Sequence, residues 1–145
     1  MKKLLFTALV AITMMNSACA KTEQLISFEQ IPVNAQVVVN QAFANDEISY
    51  VSMEKEGFQT EYNIHFASGA KIEFDKNGEL KNVDCQLEPV PEQLIPQAVR
   101  DYVAAKFPKQ FIKEWGTDDR RWKAELNSGL ELIFDKKFNF VGIDD

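Results

Sequence analysis

Ser68–Asp84, SGAKIEFDKNGELKNVD, decides the fold, because Ser128–Asp144, SGLELIFDKKFNFVGID, repeats it sixty residues later. Without a gap, Ser68, Gly69, Phe74, Asp75, Lys76 and Asp84 recur as Ser128, Gly129, Phe134, Asp135, Lys136 and Asp144. Apolar positions recur in kind: Ile72 with Leu132, Leu80 with Phe140, Val83 with Ile143. Self-similarity at a fixed period marks a duplicated supersecondary unit that buries its apolar face against its neighbour.

Upstream of each copy the period drops to two. Phe58, Tyr62, Ile64 and Phe66 share one parity, with Gln59, Glu61, Asn63 and His65 between them. Trp122, Ala124 and Leu126 alternate in the same way with Arg121, Lys123 and Glu125. That pattern predicts antiparallel strands covered on a single side. Ala67-Ser68-Gly69 and Asn127-Ser128-Gly129 read as hairpin turns, as does Asp75-Lys76-Asn77-Gly78. Further upstream, Ile31-Pro32 and Ile95-Pro96 each open a helix. Proline in a first turn forfeits no hydrogen bond. Ala35, Val38, Val39, Ala42 and Phe43 follow at helical spacing, as do Val99, Tyr102, Val103 and Phe107. The helices stand 64 apart and the later strands 60 apart, so the hairpin between the first two strands must be four residues longer in repeat one. The predicted strands are roughly 48–53, 58–67, 70–75 and 79–84, then 111–116, 121–127, 130–135 and 139–144. The expectation is an α+β fold: two tandem α-β-β-β-β repeats forming one curved antiparallel sheet, with two helices packed on one face.

The ends and joints divide as follows. Residues 1–20 read as a signal peptide: Lys2 and Lys3, an apolar run Leu4–Met15 too short to span a bilayer, and Ala18-Cys19-Ala20 as the cleavage site. The competing reading makes Cys19 a lipidated first residue, and only then would the protein meet a membrane. Residues 21–27 are expected to be a flexible lead-in, 28–84 repeat one, 85–93 the connector and 94–145 repeat two, with 28–145 together one domain. Removing the signal takes two lysines and no acids from 16 Lys+Arg and 22 Asp+Glu, leaving a net charge of −8. An acidic chain without a basic stripe argues against a nucleic-acid partner. Cys85 is then the one remaining cysteine, so stability must come from packing.

The Ile-Pro helices ending in Phe, followed by SGAKIEFDKNGELKNVDC and NSGLELIFDKKFNFVGIDD, resemble the PepSY-like family of exported Bacteroidetes proteins, whose fold is similar to that of the β-lactamase-inhibitor protein. The resemblance runs over about 28–145. It implies tandem α-β-β-β-β units and a concave sheet face free to bind protein. Phe138, at the usual turn glycine, and Leu80, where relatives often carry Trp, depart from the pattern.

Catalytic constellations are sparse. His65 is the sole histidine, which excludes multi-histidine metal sites and relays. Asp75, Asn77 and Glu79 imitate the start of a calcium loop, but a full loop needs a bidentate Glu at its twelfth position and Gln86 stands there. The better reading is a turn. No phosphate loop, CxxC pair or GxSxG elbow is present, so the sequence points away from an enzyme, a metal site or a cofactor. The repeats differ most on the parity opposite the core: Lys71, Glu73 and Lys81 in repeat one, Glu131, Ile133 and Val141 in repeat two. Trp115 and Phe138 add aromatic surface to that reading. The expected contact site is therefore Ile133, Val141 and Phe138, flanked by Arg121 and Lys123. Its expected occupant is another envelope or secreted protein, with a second copy of the chain as rival. The alternative function is a carrier of a small molecule or peptide in a pocket between helices and sheet.

Overall fold

The computed structural model describes residues 21–144, so the expected signal peptide at 1–20 and the expected fates of Cys19 lie outside the described residues. Helix α1 (Val33–Ala42) precedes strands β2 (Ile48–Glu56), β3 (Gln59–Phe66), β4 (Lys71–Asp75) and β5 (Leu80–Asp84). Helix α2 (Gln97–Lys106) precedes β6 (Ile112–Thr117), β7 (Trp122–Leu126), β8 (Glu131–Phe134) and β9 (Phe140–Asp144). With β1 (Thr22–Ile26), the strands form one nine-stranded sheet in strict chain order, and every described pairing is antiparallel. The two repeats meet where β5 pairs with β6: Val83 faces Trp115 and Asp84 faces Glu114. That junction closes an edge each repeat alone would leave open.

Residues 21–27, expected as a flexible lead-in, instead include β1, paired along its length with β2. Their polar composition hid it: an edge strand has little to bury, and Thr22–Gln24 are exposed. The longer first hairpin supplies the template, because β2 runs past the end of its counterpart β6.

The core lies on the helix side of the sheet. Ala35 and Val39 of α1, Val99 and Val103 of α2, and Ile64, Ile72, Phe74, Trp115, Leu126, Leu132 and Phe134 of the strands form one buried cluster. Each helix begins after a proline at its N-cap, with Ile31 and Ile95 buried just before it. The serines of the repeated motif anchor each unit from outside. The Ser68 hydroxyl donates to Asp46, and the Ser128 hydroxyl donates to Gln110 at the equivalent position after α2. Asp75 Oδ1 accepts from the backbone N–H of Asn77 at 2.8 Å and Glu79 at 3.0 Å, which makes this segment a side-chain-capped turn. Asp135 does the same for Lys137 and Asn139.

Candidate functional site

The register places whole rows of side chains on the face away from the helices. In repeat one, a row runs Tyr50–His65–Lys71–Asp84 across β2 to β5. It continues through repeat two as Glu114–Glu125–Glu131–Asp144. Five carboxylates thus stand on five adjacent strands, each opposite the next. Like charges in direct opposition repel, and cations and amides inserted beside the row offset this. Lys113 pairs with Glu125 at 2.8 Å, and Lys123 reaches Glu131 at 3.7 Å and Asp144 at 3.6 Å. Asn82 Nδ2 donates to Glu114 Oε1 at 3.0 Å. Burial pushes the Glu114 carboxyl above its ordinary range; the Asn82 hydrogen bond opposes that, while the neighbouring Asp84 and Glu125 reinforce it.

The adjacent row is Ser52–Asn63–Glu73–Asn82 in repeat one and Gly116–Lys123–Ile133–Gly142 in repeat two. The two copies have kept the helix side apolar and diverged on the open side. Several hollows cross that open side. A central one of about 430 Å³ lies among Glu61, Glu73, Lys81, Glu114, Lys123 and Glu131. One of about 490 Å³ at the β9 end is walled by Asp118, Arg120, Arg121, Lys123, Ile133, Val141, Ile143 and Asp144. A smaller one of about 250 Å³ lies below Phe58, at the tip of the first hairpin. The central hollow shares Asp118 and Lys123 with the second, and Glu61 and Lys81 with the third.

Four of the five expected contact residues therefore meet around one hollow: Arg121, Lys123, Ile133 and Val141. Two expectations require correction. Phe138 is not on this face. It sits in the β8–β9 turn with its ring tilted against Trp115 and Trp122, 6.3 and 5.8 Å between centroids, on the helix side. The residue adopts a left-handed φ of 64°, which turns its side chain back into the core. Trp115 is likewise core, 1% exposed and stacked on Trp122. Ile133 does lie on the open side but is only 6% exposed, and it is absent from the helix-side cluster. Lys123 stands directly opposite it in the register and reaches Glu131 and Asp144. Val141 is 54% exposed. It sits in a β-bulge where the register between β8 and β9 shifts.

Three features escaped the sequence. Phe58 was assigned to the apolar face by parity, yet it occupies the two-residue turn between β2 and β3 and is fully exposed. Arg120 joins Arg121 on the wall of the β9 hollow. The carboxylate row needs the strand register; aligning each hairpin about its turn would have found most of it.

His65 stacks on Tyr50 at 4.1 Å, and burial, then Lys71, lowers its pKa. Cys85 is buried, and burial followed by the charge of Asp84 pushes its thiol up to about 11, so at neutral pH it is an unreactive thiol. Among the described residues no three His, Cys, Asp or Glu side chains converge as a metal site. No described helix is long and apolar enough to cross a membrane.

Comparison with known proteins agrees with this architecture. The family described as PepSY-like, a candidate beta-lactamase-inhibitor-like group, matches residues 60–142. A candidate periplasmic protein of Bacteroides vulgatus is 31% identical with a TM-score of 0.81, over 85% of this chain and 97% of its own. A Bacteroides thetaiotaomicron protein, described as a candidate calcium-regulated periplasmic protein, is 32% identical with the same TM-score and coverages. A second Bacteroides vulgatus protein, of unknown function, is 27% identical with a TM-score of 0.79, over 87% of this chain and all of its own. No curated protein matches. The chain belongs to the PepSY-like family.

Proposed function

We propose that this member of the PepSY-like family is a non-catalytic, protein-binding module of the cell envelope that holds its partner against the open side of its sheet. The divergence between the two copies carries this reading. Both repeats keep the same apolar helix side, where the fold is made. They differ on the open side, where repeat one presents mixed polar groups and repeat two presents the carboxylate row beside an arginine-walled, partly apolar hollow. An exposed aliphatic such as Val141 costs solubility unless covered, and the linked hollows give a partner relief to fit. Charge of both signs along the face favours orientation and selectivity over bulk affinity.

A carrier with a ligand between helices and sheet would need unfilled apolar space there. Phe74, Phe134, Trp115, Val39 and Val99 occupy the centre of that layer, and the hollow of about 380 Å³ beside α2, bordered by Val90, Ile95, Val103 and Ile112, is shared with the polar side chains Glu92, Gln97 and Asp101, which favours the surface reading. An envelope address accords with the periplasmic descriptions of the Bacteroides relatives. Release after Ala20 or lipidation at Cys19 is decided by the intact mass of the mature protein.

The test is capture from a periplasmic extract of the native host, using wild type, the double variant Arg121→Glu/Val141→Lys, and Val37→Lys on the exposed side of α1 as control. Both altered positions of the double variant are exposed, so folding should survive. Loss of the captured protein in the double variant alone supports the open-side site; equal capture by all three refutes it.

A further inference from the structure

The sheet ends at β9, whose outer edge pairs with nothing among the described residues. Protein edges are usually blunted by lysine, proline or a covering element. The β9 sequence FVGID has neither residue, and the bulge at Val141 is its one irregularity. The opposite edge differs: beside β1, Lys21 pairs with Glu54 at 2.8 Å.

The two sides of the β9 edge also differ chemically. On the helix side, Phe140 stacks on Tyr102 of α2 at 4.4 Å and Ile143 is half exposed, giving an apolar shelf. On the open side, Arg120, Arg121 and Lys123 wall the hollow of about 490 Å³ together with the carboxylates Asp118 and Asp144. Lys123 reaches Asp144 at 3.6 Å, and neither arginine takes part in any ion pair among the described residues. The two arginines stand at the entry to β7, two strands in from the open edge, and guanidiniums outside any ion pair are unusual in a chain with 16 Lys+Arg against 22 Asp+Glu.

We propose that β9 accepts an extended segment of another protein as a tenth strand, one whose side chains alternate between acidic and apolar. The backbone would supply affinity by strand addition. Acidic side chains would point to the Arg120–Arg121 side, where guanidiniums bind carboxylates in bidentate fashion. Apolar side chains, on the other parity, would cover Phe140 and Ile143. This rests on the open-side reading above and specifies how a partner is held there.

The probe is a fluorescein-labelled heptapeptide, Val-Glu-Val-Glu-Val-Glu-Val, followed by anisotropy with the full mature chain at low salt. Three changes should each weaken binding by about tenfold or more, a loss of roughly 1.4 kcal/mol. They are lysine for glutamate in the peptide, methylation of every peptide nitrogen, and Arg120→Glu/Arg121→Glu in the protein. No binding by the parent peptide at millimolar concentration overturns strand addition, and so does equal binding of the methylated peptide. A chain that self-associates through β9 and is not dissociated by the peptide overturns it too, with a second copy as occupant. If the peptide fails while Arg121→Glu/Val141→Lys still abolishes capture, strand addition falls and the open-side reading stands. If capture also persists, both fall.

Discussion

Asn34, in the first turn of α1, donates from Nδ2 to the carbonyls of Asn77 at 2.9 Å and Gly78 at 3.1 Å, pinning the helix to the β4–β5 turn. A Cβ on residue 78 would stand 2.4 Å from Asn34 Oδ1, and Gly78 also has a left-handed φ of 77°. The equivalents in repeat two are Ala98 and Phe138. The small and large partners have exchanged places: Phe138 keeps the left-handed turn with φ 64° and sends its ring to Trp115 and Trp122.

That exchange predicts opposite glycine effects in the two copies. Gly78→Ala should cost about 2–3 kcal/mol, from left-handed strain of roughly 1–2 kcal/mol and disturbed Asn34 hydrogen bonds. At position 138, Phe138→Gly should be less damaging than Phe138→Ala by about 1 kcal/mol, because both lose the ring but only glycine relieves the backbone. Urea unfolding of the three variants measures this.

Phe74 and Phe134, the same residue of the two copies, are both fully buried beneath the helix layer. Alanine at either should cost roughly 3–5 kcal/mol, the usual range for a core phenylalanine. A loss below about 1 kcal/mol at either position would place it outside the core.

The junction of the repeats is as tight as their cores. Gly116 faces Asn82 across β5 and β6, and a Cβ there would lie 2.1 Å from Asn82 Oδ1 and 3.0 Å from the Lys81 carbonyl. Gly116→Ala should destabilise by about 1–3 kcal/mol. Adding Asn82→Ala should return part of that loss, a coupling within the usual 0.5–3 kcal/mol for residues in contact. Strict additivity in denaturant unfolding would contradict the close approach.

Glu114 makes stability pH-dependent in a stated direction. Its folded pKa is raised, chiefly by burial, so its protonated form favours the fold. That contribution is present at low pH and lost as pH rises through the raised value. Glu114→Gln cannot ionise and should therefore be more stable than wild type at pH 7, by up to about 1 kcal/mol, the scale of a cross-strand pair. Below the ordinary carboxylate range the advantage should vanish. Thermal melts at pH 7 and pH 3.5 distinguish this from a pH-independent effect.

The sequence carried the duplication, the helices and eight of the nine strands because each rests on a local period: 3.6 around Val39 and Val99, two around Ile64 and Ala124. It missed β1, whose exposed Thr22, Glu23 and Gln24 have no period to detect. Parity found the open side and brought out Ile133, Val141, Arg121 and Lys123. Parity failed at Phe58 and Phe138, which stand in turns where alternation no longer holds. The carboxylate row from Asp84 to Asp144 was invisible for another reason: it depends on four registers at once, and bulges in β6 and β9 shift two of them.

Placing the partner on the open side is the claim on which the functional account turns, and site-specific photocrosslinking in the native host tests it most directly. A photoreactive side chain would replace Val141 on the open side or Val37 on α1, both exposed. The account predicts a discrete adduct of the chain with one other protein from position 141 and none from position 37. Adducts from position 37 alone, or a position-141 adduct of twice the chain's own mass, would contradict it.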